Sequence, residues 1–288
     1  MCRIFGFRSV LTSKVHSSLL SADNALIGQS EIHPHGWGVA YYLEHTPHVI
    51  KSTEKAMDCN IFQRVSGVVS SQTVIAHIRN ATQGELSILN SHPFQYGDWT
   101  FAHNGNIKNF DKVKPEIIKR ICPDLVRYIL GATDSEHIFF YLLSKIKNHF
   151  SLKRHLVPMG DLFHILEVAI EELVALIGDL CSHDKPIPTE NYLTFVLSNG
   201  YTMMAFEGGQ PLHLCTYKKQ CPERDTCPEF APMCEAAPAK DGKVNHFIVS
   251  SEPLEGQNVW QKLSSGTLVG IDADMRLHKH QIPLNFLD

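Results

Sequence analysis

The chain opens MCRIFGF, with a cysteine directly behind the first methionine. Cysteine is small enough for Met1 to be trimmed, which would leave Cys2 as the terminal residue. A free terminal amine titrates near about 8, so one residue would then carry both a nucleophilic thiol and a base. The same cysteine also reads as a small hydrophobe packed at the start of a first strand.

Four further stretches bring polar residues to the ends of apolar runs. AHIRNATQG places Arg79 and Thr82 beyond one run, and NSHPF brings Asn90 and His92. FAHNGNI sets Asn104 and Gly105 beyond another, and TDSE puts Asp134 at a helix start. Taken singly, Asn104-Gly105 is a turn, Asp134 a cap, Arg79 half of a surface ion pair and His92-Pro93 a loop corner. Taken together they form a set for one reaction class. The Asn104 amide and the Gly105 N–H are two donors able to converge on an oxyanion, and glycine lets the backbone approach a substrate with no Cβ in the way. Arg79 has the planar fork that grips a carboxylate, and Asp134 the counter-charge for an ammonium. An arginine and an aspartate in one pocket describe an α-amino acid head group, with a thiol at the far end of its side chain.

These stretches, with HGWGVAYY, LSNGYTMMA and SSEPL, resemble a class II glutamine amidotransferase of the N-terminal-nucleophile hydrolase type, above all its free-standing YafJ-like branch. The likeness runs from residue 2 to about 270. It implies Cys2 as nucleophile, Asn104 and Gly105 as oxyanion hole, Arg79 on the substrate α-carboxylate, Thr82 and His92 lining the pocket, and Asp134 on the α-amino group. It also implies a four-layer αββα sandwich with antiparallel sheets. The substrate implied is glutamine or a γ-glutamyl compound, with no cofactor. The alternative is a glutaminase subunit that supplies ammonia to a separate synthase partner. One departure stands out: larger synthases of the class have Trp after the arginine and His after the threonine, where this chain has Asn80 and Gln83.

The elements that must position these residues follow from periodicity. Arg3 to Ser9, GVAYYLEH, HVIKS, VIAHI and WTFAH read as strands, with a turn expected at Thr46-Pro47 and a hairpin over Asn199-Gly200. Asn60 to Val69 has helical spacing. TDSEHIFFYLLSKIKNHF and LFHILEVAIEELVALIGDL read as two long amphipathic helices, the first opened by a capping cluster. Strands, then helices, then strands again describe an α+β layered fold.

No repeat or linker interrupts the chain, so one domain over 1–288 is expected, with an irregular insertion at 207–242. That insertion holds Cys215, Cys221, Cys227 and Cys234, but no pair has the close spacing that lets two thiolates share a zinc ion, so no metal is expected. The histidine pairs His33/His35 and His278/His280 show no evident carboxylate partner and read as solvated or core imidazoles. With 26 basic and 30 acidic side chains the net charge is -4, which argues against nucleic acid and membrane surfaces as partners. The absence of a signal peptide pattern and the scattered cysteines point to a reducing cytoplasm.

Overall fold

The computed structural model describes residues 2–15, 17–22, 24–81, 84–183, 187–220, 224–225, 232–235, 241–254 and 258–287. Along the first half run β1 (Arg3–Lys14), α1 (Leu26–Gln29), β2 (Trp37–Leu43), β3 (Thr46–Ser52), α2 (Asn60–Val68), β4 (Ser70–Ile78), β5 (Phe94–Tyr96) and β6 (Trp99–Asn106). Helices α3 (Phe110–Ile118), α4 (Pro123–Val126), α5 (Asp134–Lys147) and α6 (Met159–Ile177) follow. The rest is β7 (Leu180–Cys181), β8 (Tyr192–Ser198), β9 (Met203–Phe206), β10 (His213–Lys218), β11 (His246–Ser250), β12 (Asn258–Lys262), β13 (Thr267–Ile271), β14 (Leu277–Gln281) and β15 (Phe286–Leu287).

One antiparallel sheet has the order β12-β10-β11-β1-β4-β2-β3, and a second has β14-β13-β9-β8-β6-β5. Side chains alternate across a strand, and that alternation sorts the core into three layers. Ile4, Ala40, Ile75, Ala102 and Val196 pack between the two sheets. Phe5, Trp37 and Ala76 face the other way, onto Phe62 of α2. Phe101, Phe195 and Phe206 pack under the apolar residues of α5 and α6. The result is the αββα sandwich that the resemblance implies.

Helix α5 begins where the capping cluster sets it, with Thr133 Oγ1 accepting the Glu136 N–H at 3.4 Å. It is not half-wet, as its sequence suggests. Every residue from Asp134 to Ser144 is buried, because α5 lies between the second sheet and the flanking α3 and α6.

Two expectations need correction. The β2–β3 turn falls at Glu44-His45, whose φ angles are +48° and +69°; two positive φ values make the tight hairpin whose twist matches its strands. Pro47 lies inside β3, a sheet edge, where a missing N–H costs no ladder bond. The segment 207–242 is not irregular throughout either: His213–Lys218 forms β10, paired with both β11 and β12. Between Asn199 and Gly200 and the next strand, Asn199 Oδ1 accepts the N–H groups of Tyr201 and Thr202 at 3.1 and 2.9 Å, so the β8–β9 connection is a four-residue loop. Among the described residues no helix is long and apolar enough to cross a membrane.

Candidate active site

Cys2 precedes β1, and its place follows from the strand register. Arg3 pairs with Ile78 and Ile4 with His77, so one further step sets Cys2 opposite Arg79. On the other side of β4, the Arg79 N–H donates to the Gly36 carbonyl at 2.8 Å and its carbonyl accepts the His35 N–H at 3.1 Å. Ile4 faces the layer between the sheets, and Cys2, two residues earlier, continues that face. Ala102 faces the same layer from β6, and Asn104 continues it in turn. The two sheets therefore present Cys2 and Asn104 along one shared face.

The thiol is held by main chain. The Asn80 N–H donates to Cys2 Sγ at 3.2 Å, and the thiol donates to the Asn80 carbonyl at 3.4 Å. Burial pushes the Cys2 thiol above its ordinary range; the Asn80 N–H and the Arg79 charge oppose the rise, and Asp134 adds to it. Burial likewise lowers Arg79, and the proximity of Cys2 raises it. The strand itself is anchored by the SSEPL segment: Ile4 and Ser251 exchange bonds at 2.9 and 3.0 Å, and Arg3 pairs with Glu252.

Gly105 is required by its neighbours. A Cβ there would stand 2.1 Å from both the Tyr192 carbonyl oxygen and His103 Nε2, two atoms that are themselves joined by a 3.2 Å hydrogen bond. Asn104 is buried, and among the described residues its Oδ1 has no hydrogen-bond partner. An unpaired buried acceptor costs about 1–3 kcal/mol, and functional sites are where such costs persist. Asp134 is buried at the first turn of α5. Its Oδ2 accepts the Ile107 N–H at 2.7 Å and its Oδ1 the Ser135 N–H at 2.7 Å. It thus clamps the chain leaving β6, directly after Asn104 and Gly105.

His92 is buried. Its ring lies against that of His77, 4.1 Å between centroids with the planes tilted by 34°, and a Cβ on Gly38 would come within 2.0 Å of its carbonyl oxygen. Among the described residues neither ring nitrogen of His92 has a hydrogen-bond partner, while the His77 ring is close to the His103 backbone. Burial holds His92 well below the usual imidazole range and His77 at about 3, and the Arg79 charge pushes both the same way. Thr82 lies outside the described residues.

Sequence reasoning assigned no positioning role to several contributors. His35 Nδ1 accepts the Ala81 N–H at 3.0 Å, steadying the chain just past Arg79. Asn90 joins the same loop to the approach of α5, donating to the Glu85 carbonyl at 3.1 Å and accepting the Ala132 N–H at 2.9 Å. The clasp of Asn80 on Cys2 uses only backbone atoms and leaves no trace in residue types. Elsewhere, His278 and His280 do have carboxylate partners, Asp272 at 2.9 Å and Glu167 at 2.7 Å. Cys221 and Cys227 and the side chain of Cys234 lie outside the described residues. Among the described residues no group of three His, Cys, Asp or Glu side chains could hold a metal.

The family model for class II glutamine amidotransferases matches residues 1–280. The chain belongs to this family. It is therefore kin to enzymes, and the amidotransferase likeness extends over nearly its whole length. An uncharacterized Methanocaldococcus jannaschii protein is 34% identical over 278 residues, 93% of this chain and 68% of the relative. YafJ of Escherichia coli strain K12 is 23% identical over 282 residues, 92% of this chain and 95% of YafJ. Among solved structures, glutamine phosphoribosylpyrophosphate amidotransferase from Bacillus subtilis superposes with a TM-score of 0.61 at 14% identity. That match covers 99% of this chain and 50% of the larger one, and it places this amidotransferase in the N-terminal-nucleophile hydrolase fold.

Proposed function

We propose that this protein is a thiol-dependent amidohydrolase that cleaves the γ-amide of glutamine or a γ-glutamyl compound through a γ-glutamyl thioester on Cys2. The observation that carries this reading is the placement of Cys2 Sγ on the Asn80 backbone, opposite Arg79 and within the field of Asp134. In this reading Arg79 takes the substrate α-carboxylate and Asp134 the α-ammonium, with Thr82 and His92 completing the surroundings.

With Met1 removed, the Cys2 amine accepts the thiol proton as sulfur bonds to the γ-carbonyl carbon. The oxygen gains the negative charge, met by the Asn104 amide and the Gly105 N–H. Collapse breaks the carbon–nitrogen bond, the ammonium returns its proton to the departing nitrogen, and water then hydrolyses the thioester to glutamate. The five cysteines whose side chains are described, Cys2, Cys59, Cys122, Cys181 and Cys215, are free thiols, which suits a reducing cytoplasm.

A second reading, glutaminase activity feeding ammonia to a separate synthase, draws on the match to one half of a larger amidotransferase. The ratio of kcat/KM for γ-glutamyl dipeptides to that for glutamine separates the two. A ratio well above one supports hydrolysis of γ-glutamyl compounds, whereas strict glutamine preference stimulated by a synthase supports ammonia supply. Acid quench during turnover should trap a glutamyl adduct on Cys2 by mass spectrometry. Full turnover by Cys2→Ala would remove the thioester altogether.

A further inference from the structure

A cavity of about 410 Å³ opens between the end of β9, the end of β12 and the loop leading into β13. Its walls include Glu207, Lys262, His183, Ser264 and Ser265. None of these residues belongs to the glutamyl chemistry above. The volume lies within the range of small-molecule pockets.

The unusual member is Glu207. Its side chain is buried, and the Gly209 N–H donates to its Oε2 at 3.4 Å. Among the described residues no cation lies within ion-pairing distance of it. Burial raises the Glu207 carboxyl to about 7, while Ser265, Gly209 and the charge of Lys262 pull the other way. A buried carboxyl facing a cavity with no cation of its own is a costly arrangement, and an incoming ammonium would relieve it. Lys262, exposed and lining the same cavity, offers a positive charge to an anionic group. We propose that this cavity binds a free α-amino acid as a zwitterion, its ammonium on Glu207 and its carboxylate on Lys262.

The residues on either side of Gly209, which lines the cavity, are hydrogen-bonded to the strand that pairs with the candidate oxyanion residues. Thr194 Oγ1 accepts the N–H groups of Gly208 and Gln210 at 2.9 and 3.0 Å, and the Leu193 N–H donates to the Gly208 carbonyl at 2.8 Å. Thr194 and Leu193 pair across the ladder with Asn104 and Gly105.

The test is calorimetric titration of alanine, ethylammonium and propionate into the Cys2→Ala, Arg79→Ala protein, whose glutamyl site is disabled. Alanine should bind more tightly than either single-charge probe. Adding Glu207→Gln, nearly isosteric, or Lys262→Met, at an exposed position, should weaken alanine about tenfold or more while the melting transition stays cooperative. Unchanged alanine affinity in both variants, or no heat with alanine at millimolar concentrations, would overturn the proposal. Failure here leaves the thioester on Cys2 untouched, since that is read by mass spectrometry.

Discussion

Asn80 holds Cys2 from two sides, its N–H donating to Sγ at 3.2 Å and its carbonyl accepting the thiol proton at 3.4 Å. The first bond favours the thiolate and persists after deprotonation. The second favours the neutral thiol and becomes repulsive once the proton leaves. The pair thus aims the sulfur at rest and loosens one of its two holds when it is activated.

Because burial raises the Cys2 thiol, its alkylation should be slow at neutral pH. With Cys122→Ser as background, the iodoacetamide rate at Cys2 should keep climbing beyond the ordinary thiol value of about 8.5. Asn80→Ala should leave this profile unchanged, since the clasp is backbone. A plateau below pH 8 would show a thiol already activated.

Removing an oxyanion donor typically costs about 10²–10³ in kcat. Asn104→Ala should lose that much with little change in KM, and Asn104→Asp more, because it directs a negative charge at a developing oxyanion. Near-normal turnover in Asn104→Ala takes this residue out of the mechanism.

Asp134 has a structural duty beside its proposed one. In Asp134→Asn one amide end still accepts the Ile107 N–H, but its NH₂ must face the Ser135 N–H. Stability should fall by about 1–3 kcal/mol, and kcat/KM should fall as well. Arg79→Lys keeps the charge and loses the fork, and its loss should also fall on kcat/KM. Unchanged kcat/KM in both variants would assign the two residues to the scaffold alone.

Glu207 sets a pH dependence of definite sign. Its folded carboxyl titrates at about 7 against an ordinary 4.5, so the folded state holds a proton that the unfolded chain gives up. Stability from this group is complete below about 4.5 and is lost as pH rises through about 7, a span worth about 3 kcal/mol at most. Glu207→Gln should therefore be more stable than the parent at pH 8 and equal to it at pH 4 in urea melts. Equal stability at pH 8 would mean that this carboxyl ionises freely.

The buried imidazoles act in the opposite direction. His77 is held at about 3 and His92 well below its usual 6.5, so both fold as neutral rings. Their contribution is present above about 6.5 and is lost as pH falls, by about 1.4 kcal/mol per unit for each ring. In a Glu207→Gln background, denaturation midpoints should drop steeply from pH 6.5 to 5. A flat limb there would show that protons reach these rings without penalty.

Much of this protein is legible in residue order because it depends on near neighbours. The cap at Thr133, the helical spacing of α2 and α6 and the strand alternation are local, and they suffice for the layered α+β fold. Cys2, Asn104 and Gly105 each have an ordinary reading by type, as a packed thiol and a turn, and only their combination with Arg79 and Asp134 suggests a site.

What tertiary structure decided are relations between distant backbones. The step from Arg3–Ile78 to Cys2–Arg79 depends on sheet register, and the Asn80 clasp uses peptide groups that every residue carries. The His280–Glu167 pair joins positions 113 residues apart. The strand at His213–Lys218 exists because β11 and β12 satisfy its peptide groups on both sides, not because its own composition demands it. His92 reads as a loop corner in sequence, yet it lies buried on His77, because Gly38 leaves room for its backbone on the sheet. Side-chain type sets the chemistry a residue can offer; only the register of the strands decides which chemistries meet.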